Sequence, residues 1–222
     1  MSGIYIHIPF CIKACHYCNF HFSTSLRSKN KLLAAIEKEL ELRVDYLKGK
    51  QINSVYFGGG TPSLLSIDEI NSILNIINKN YNLGDEPEVT LEANPDDLTL
   101  EKLTELKYGT PVNRLSIGVQ SFHDKDLEYM NRAHNSKESR ECIGNALTLG
   151  FQSLSIDLIY GTPTMDDEKW HQNLRTAFAY GIPHISCYAL TVEPKTALQH
   201  LISKKQTFDV SEEQTARQFE IL

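Results

Sequence analysis

No run of about 18 apolar residues, the length a membrane-spanning helix needs, occurs anywhere in the 222 residues. No basic block stands out either: 22 Lys and Arg are set against 28 Asp and Glu, for a formal net charge of −6. Long-range attraction to nucleic acid or to anionic lipid is therefore not expected. Charged and polar residues interrupt every early apolar run, so no secretory signal is read at the N-terminus. The chain lacks Pro- or Ser-rich linkers and low-complexity segments, which argues against a split into two domains and leaves one large one. A cytoplasmic setting follows as the expectation, and there cysteines stay reduced rather than forming a disulfide framework.

What the chain does have is three of its five cysteines within eight residues, Cys11-Ile-Lys-Ala-Cys15-His-Tyr-Cys18, directly after the apolar run Ile4–Phe10. Thiolates are soft ligands that select zinc, Cu(I) or iron–sulfur clusters. The C-x3-C-x2-C spacing suits a short loop around one compact metal object, and three ligands leave one metal vertex open. Two readings stand side by side: a structural zinc site with His16 or His21 as fourth ligand, and a [4Fe–4S] cluster with one open iron.

The remainder of the chain alternates strand and helix. A buried strand is expected at Ile4–Ile8, and further strands at Ser54–Phe57, Val89–Glu92, Arg114–Val119, Ser153–Ile159 and His184–Leu190. Leu33, Ile36, Leu40, Val44 and Leu47 recur at helical intervals and predict one helix over Lys31–Leu47. Ser66-Ile-Asp-Glu69 and Ser211-Glu-Glu-Gln214 are capping boxes that open two further helices. Helices are also expected near Leu100–Leu106, over Lys125–Met130 and Lys137–Leu149, and over Asp166–Tyr180. Six strand–helix units without hairpin turns predict a parallel sheet with helices outside it. Cys11–Cys18, Gly58–Gly60, Glu92, Gln120 and Asp157 all fall at the C-terminal ends of successive strands, the edge where such folds build their sites. Polar residues ending so many strands are costly unless they face a ligand-filled mouth. The expected fold is α/β, a partial (βα)6 TIM-like barrel. The last helix runs into the end of the sequence without a stop signal, so continuation beyond Leu222 is expected.

Single motifs are weaker. Gly58-Gly-Gly60-Thr61-Pro62 matches neither the P-loop nor the dinucleotide fingerprint, and reads as a tight βα turn or as backbone brought close to a ligand. Glu92 alone reads as a solvated or salt-bridged carboxylate. His7 reads as a structural histidine, and Cys142 and Cys187 as small buried hydrophobes.

Taken in register, these segments resemble one family. Tyr5-Ile-His7-Ile-Pro9-Phe10-Cys11-x3-Cys15-x-Tyr17-Cys18-x-Phe20, then Gly58–Pro62, Glu92-Ala-Asn94-Pro95, Ser116–Phe122, Arg132-Ala-His134-Asn135 and Asp157–Pro163 follow the radical S-adenosylmethionine (SAM) proteins of the oxygen-independent coproporphyrinogen III oxidase group. The oxidases in that group carry a further cysteine two residues after the third, where this chain has Phe20. They also have a longer segment before the first strand. Both departures point to the branch of HemW-like haem chaperones. The resemblance implies that residues 1–222 form the radical SAM core, that a C-terminal domain with the haem-binding motif follows, and that Cys11, Cys15 and Cys18 hold a [4Fe–4S] cluster. It further implies that SAM closes the fourth iron and is cleaved by one electron to methionine and a 5′-deoxyadenosyl radical, the protein supplying placement and exclusion of water. Tyr5, Gly59, Gly60, Thr61 and Glu92 are carried over as SAM-facing residues. Gln120, Arg132 and Asp157 match contacts to a second SAM, with a tetrapyrrole-facing pocket or a hydrogen-bonded network at the mouth as the other readings. Tyr5, Tyr17 and Phe20 are expected to shield the cluster. Implied partners are haem or a porphyrinogen, an electron donor such as flavodoxin or ferredoxin, and a haem-accepting protein. The runner-up function is the oxidase's decarboxylation of coproporphyrinogen III propionates.

Overall fold

Six strands lie side by side in chain order: β1 (Ser2–Ile8), β2 (Ile52–Gly59), β3 (Leu83–Ala93), β4 (Arg114–Gln120), β5 (Ser153–Tyr160) and β6 (His184–Ala189). The structure, a computed structural model, describes residues 2–222. Every neighbouring pair is parallel. A doubly wound sheet would reverse its strand order partway. The unbroken order is that of a barrel wall, and β1 and β6 are its two edges, so the expected partial (βα)6 barrel is what forms. Around it lie α1 (Lys29–Leu42), α2 (Ile67–Asn80), α3 (Leu100–Gly109), α4 (Asp124–Tyr129), α5 (Ser136–Thr148), α6 (Asp167–Ala179), α7 (Ala197–Ser203) and α8 (Glu212–Ile221).

Alternation along the strands sorts the two faces of the wall. Ile6 and Ile8, Val55 and Phe57, Val89 and Leu91, Leu115 and Ile117, Leu154 and Ile156 are all buried, packed with α2, α3, α5 and α6 residues such as Ile73, Leu103, Ile143 and Trp170. Fully burying each such side chain contributes about 1.5–3 kcal/mol. The alternate positions are polar or small. One row across the sheet reads Tyr5, Tyr56, Thr90, Arg114, Ser153, and the row above it brings Glu92 beside Ser116 and Ser155. Arg114 ties this lining together, donating to Thr90 Oγ1 (3.3 Å) and Ser155 Oγ (3.2 Å) and lying 3.7 Å from Glu88.

Four local expectations are corrected. The helix expected to reach Leu47 ends at Leu42, and a 3-10 turn covers Val44–Leu47. Lys48 and Gly49, at φ 49° and 69°, then turn the chain back toward β2. β1 is buried on one face only, because an edge strand turns its other residues to the open lumen. Cys187, on the other edge strand, is half-buried, whereas Cys142 is buried as expected. At α2 the capping box forms in both directions, but at α8 only half of it does. Ser211 accepts from Gln214 N, while the Gln214 amide donates to Thr162 O (2.9 Å) and Met165 O (2.6 Å) instead of returning to the cap.

Candidate functional site

The cysteine loop leaves β1 and is closed like a lasso. Cys11 N donates to Ser23 O (3.1 Å) and Ser23 N to Pro9 O (2.8 Å), so the base of the loop is a short stretch of parallel pairing. Inside it, Cys18 N donates to Cys15 O at 3.3 Å. The outer arc is held from far along the chain: His16 N donates to Met130 O (3.0 Å), Asn131 Nδ2 to Ala14 O (2.7 Å) and Leu198 N to His16 O (2.8 Å). Asn131 sits at φ 57°, a conformation asparagine tolerates better than most residues. A satellite core of Leu127, Met130, Ile159, Leu190 and Leu198, with Tyr17 packed against it, supports the loop from beneath.

Cys11, Cys15 and Cys18 are free thiols, each half-buried, and they face one another closely enough for their charges to interact. Burial pushes the Cys11 and Cys18 thiols above the usual range, and neighbouring thiolates push further. A cation beside them eases deprotonation of Cys11 and Cys18. Arg132 supplies part of that charge. Its Nη1 lies 3.3 Å from Cys15 Sγ and 3.5 Å from Tyr17 Oη, and its Nη2 donates to Asn94 Oδ1 (2.7 Å) and Gly118 O (2.9 Å). Three soft thiols on one short loop would suit an iron–sulfur cluster. His16, the candidate fourth zinc ligand, turns Nδ1 to Tyr129 O (3.1 Å), and His21 is exposed. Among the described residues no three His, Cys, Asp or Glu side chains are arranged around one ion position.

The glycine turn after β2 is shaped by close approach. Gly59 has φ 118°, and a Cβ there would stand 2.7 Å from the His7 ring. A Cβ on Gly60 would stand 2.6 Å from Phe10 O, beside the start of the cysteine loop. Thr61, buried, donates its backbone N–H to Phe10 O (2.7 Å), and its hydroxyl meets both Asn94 Nδ2 (3.3 Å) and the Cys11 thiol. Glu92 is neither salt-bridged nor free. Tyr56 Oη donates to its Oε1 (2.7 Å) and Gly59 N to its Oε2 (3.0 Å). An ionised carboxylate has about four acceptor positions, so Glu92 is fixed in orientation while keeping capacity for a ligand's donors. Burial, and after it the Glu92 carboxylate, raises the pKa values of Tyr5 and Tyr56, whose rings stack at 5.9 Å.

Gln120 and Asp157 line the same mouth. Gln120 is buried at φ 64°, where β4 breaks register, and its amide lies over Gly118. Asp157, across from Ser186 on β6, has its pKa raised by burial, against a lowering hydrogen bond from Ser186. Of the three residues matched to a second SAM, Arg132 bridges four groups in a hydrogen-bonded network, and Asp157 accepts from Ser186. The expected aromatic shield is divided: Tyr17 packs beneath the loop, while Tyr5 and Phe20 are 58% and 74% exposed. His7 accepts or donates at Tyr5 Oη (3.1 Å), in keeping with a structural role.

Sequence reasoning passed over Tyr56, Asn94 and Arg114. Period-two alternation was the available signal: Tyr56 stands two residues before Gly58, Asn94 two after Glu92, and Arg114 begins the row that ends at Gln120. A pair of a buried histidine and a half-buried aspartate also went unread. His134 Nε2 donates to Val119 O (3.0 Å), its Nδ1 lies 3.8 Å from Asp96 Oδ1, and neither of those two atoms has another partner.

Comparison with known proteins places this geometry. The sequence pattern of the radical SAM superfamily matches residues 5–177. The chain is similar to the haem chaperone HemW of Bacillus subtilis, 36% identical over 224 residues, covering 100% of this chain and 59% of that protein. The Escherichia coli haem chaperone HemW is 35% identical over 197 residues, covering 87% of this chain and 52% of the other. In three dimensions the chain is similar to coproporphyrinogen III oxidase (HemN) from Escherichia coli, a radical SAM enzyme. The TM-score is 0.85 at 26% identity, over 99% of this chain and 50% of that one. The archaeal Elp3 of Methanocaldococcus infernus, at 16% identity and TM-score 0.66, shares the fold. The chain thus spans between half and three fifths of the length of these relatives.

Proposed function

The chain belongs to the radical SAM superfamily, and from that premise we propose that it is the cluster- and SAM-binding unit of a haem chaperone. Membership of the superfamily implies a [4Fe–4S] cluster and SAM. In this reading Cys11, Cys15 and Cys18 would hold the cluster, and one open iron would be left for SAM. The observation that carries it is the meeting of those three thiols with Arg132, Thr61 and the fixed Glu92 at one rim of the barrel. When bound, the cluster supplies the single electron that cleaves the SAM sulfonium.

The residues of the chain do the placing. Gly59 and Gly60 keep the β2 turn against the cysteine loop, and Thr61 joins the two through Cys11 and Phe10 O. Glu92, fixed by Tyr56 and Gly59, offers acceptor positions to SAM's donors. Tyr5 extends that wall toward the lumen, and Gln120 and Asp157 line the side facing a tetrapyrrole. Haem binding and delivery, an electron donor of the flavodoxin or ferredoxin class and a haem-accepting protein complete the proposal. Similarity to haem chaperones and the phenylalanine at position 20 support it. No helix of the described residues is long and apolar enough to cross a membrane. A cytoplasmic setting, which keeps all five cysteines reduced, is part of the same reading.

Anaerobic reconstitution with iron and sulfide tests the first half. About four irons and four sulfides per chain are expected, with SAM altering the spectrum. One zinc and no broad visible absorption would refute it. The oxidase reading is favoured by the fold match to coproporphyrinogen III oxidase. Incubating the reconstituted protein with coproporphyrinogen III, SAM and a reductant separates the two, since protoporphyrinogen formation would sink a chaperone-only role.

A further inference from the structure

We infer that Arg114 is a positioning residue for Glu92: through Ser155, Ser116 and Tyr56 it fixes the carboxylate that faces the barrel mouth. This rests on the reading above, in which Glu92 faces SAM. The links are short and cross β2 to β5. Arg114 Nη2 donates to Ser155 Oγ (3.2 Å), and Ser155 Oγ donates to Ser116 Oγ (3.1 Å). The Ser116 hydroxyl reaches the Tyr56 phenol and pulls its pKa back against burial and Glu92. Tyr56 Oη in turn donates to Glu92 Oε1 (2.7 Å). The two ends set the direction of the chain. A guanidinium has only donors and an ionised carboxylate only acceptors, whereas a hydroxyl can accept while giving its one proton away. Ser155, supplied by Arg114, gives its proton to Ser116, Ser116 to Tyr56, and Tyr56 to Glu92. Hydrogen bonds running one way from cation to anion polarise one another.

The second support is the way each end is held. Arg114 is braced by Thr90 Oγ1 (3.3 Å) and lies 3.7 Å from Glu88, whose Oε1 accepts from Thr90 Oγ1 (3.1 Å). Its polar partners are thus Thr90, Ser155 and Glu88, and it acts on Glu92 only through the hydroxyls between. Ser155 is buried, so its hydroxyl is oriented by Arg114 and Ser116 rather than by water. Strand register keeps Glu92 beside Ser116 and Ser116 beside Ser155. At the other end, the terminal torsion of a glutamate is broad and takes its setting from its hydrogen bonds. Gly59 N fixes Oε2 directly (3.0 Å). Oε1 is fixed only as well as the Tyr56 proton is aimed. A hydroxyl rotates to suit its neighbours, so a proton arriving from Ser116 turns the phenol's own proton toward Glu92.

The test compares the full chain as wild type, Arg114→Met and Ser155→Ala, each alone and combined with Glu92→Ala. SAM bound at equilibrium dialysis to the reconstituted chain and the urea unfolding of the cluster-free chain are read together. Arg114→Met and Ser155→Ala are expected to weaken SAM binding about two- to tenfold, the size of one hydrogen bond. With Glu92→Ala already in place, the same substitutions should change the affinity by about twofold or less. A residue that serves the fold alone would lower stability and weaken binding equally in both backgrounds, and that result overturns the inference. Wild-type affinity in Arg114→Met and Ser155→Ala overturns it as well. If Arg114→Met does not fold, Ser155→Ala, which removes a single oxygen atom, carries the same readings. If Glu92→Ala binds SAM too weakly for dialysis, unfolding decides: the cost of Ser155→Ala should shrink when Glu92→Ala is present, and additive costs overturn the inference. A wild-type chain that takes up no cluster fails the underlying reading, and the unfolding comparison then decides whether Arg114 acts on Glu92. A loaded wild type whose variants bind SAM normally fails this inference alone.

Discussion

Replacing Gly60 by alanine probes the joint between the barrel wall and the cysteine loop. The added Cβ would stand 2.6 Å from Phe10 O, 2.8 Å from Phe10 N and 3.0 Å from Ile8 O. All three are backbone atoms, so no side chain can rotate away to make room. They belong to a paired segment in which Gly60 N donates to Ile8 O and Thr61 N to Phe10 O, at 2.8 and 2.7 Å. Overpacking of this kind costs about 1–3 kcal/mol. In a domain of this size each kcal/mol moves the melting temperature by roughly 2–4 °C, so about 2 kcal/mol means roughly 4–8 °C. Gly144 in α5 is the matched control, since a Cβ there would meet nothing within 4 Å. Gly144→Ala should gain about 0.5–1 kcal/mol through helix propensity alone. Urea and thermal unfolding of the metal-free chain, followed by circular dichroism, give both values. Because the displaced atoms adjoin Cys11, Gly60→Ala should also retain less iron after reconstitution. A Gly60→Ala chain melting within about 1 °C of wild type would refute the close-approach account of this turn.

Tyr56→Phe should cost about 1 kcal/mol by removing a donor from Glu92, and urea midpoints will show it. Glu92→Gln should leave the fold in place and weaken SAM binding by about tenfold or more, measured by equilibrium dialysis on the reconstituted chain, the size of a lost charge-assisted hydrogen bond; unchanged affinity would remove Glu92 from the site. Leu198→Ala empties the satellite core and should cost about 2–5 kcal/mol, with faster hydrogen exchange at His16 and Tyr17. Burial and the neighbouring Arg132 hold the His134 pKa down at about 3, against an ordinary value of 6.5. The unfolded chain then binds more protons between those pH values, so the stability from His134 is complete above pH 6.5 and is lost as pH falls toward 3. NMR titration of the apo chain should find the His134 ring still neutral at pH 5, and a ring protonated there would overturn the assignment.

The architecture was readable from sequence because strand periodicity and the placing of polar residues at strand ends are local signals. Ile6 and Ile8, or Leu115 and Ile117, announce their buried face within a few residues. The thiols themselves were equally plain. What could not be read is which distant groups meet. Arg132 reaches Cys15 across 117 residues and Asn94 across 38, and either could equally have faced solvent or a ligand. The same holds for Gln214, whose spacing from Ser211 marks a capping box but whose amide serves carbonyls about 50 residues earlier. The division of the aromatic residues also depends on long-range packing: Tyr17 finds a satellite core built from residues beyond 120, while Tyr5 stays on an open edge.

The timing of synthesis gives the lasso around the thiols a further meaning. Its base closes on Ser23, but its outer arc waits for Met130 and Asn131 and finally for Leu198. At ribosomal speeds of 5–20 residues per second, the thiols emerge roughly 10–40 s before the last of these supports. A nascent chain therefore shows an unbraced trio of sulfurs to the cell well before their cradle exists. On the cluster reading proposed above, loading with iron would follow translation of α7, once Leu198 has closed the arc.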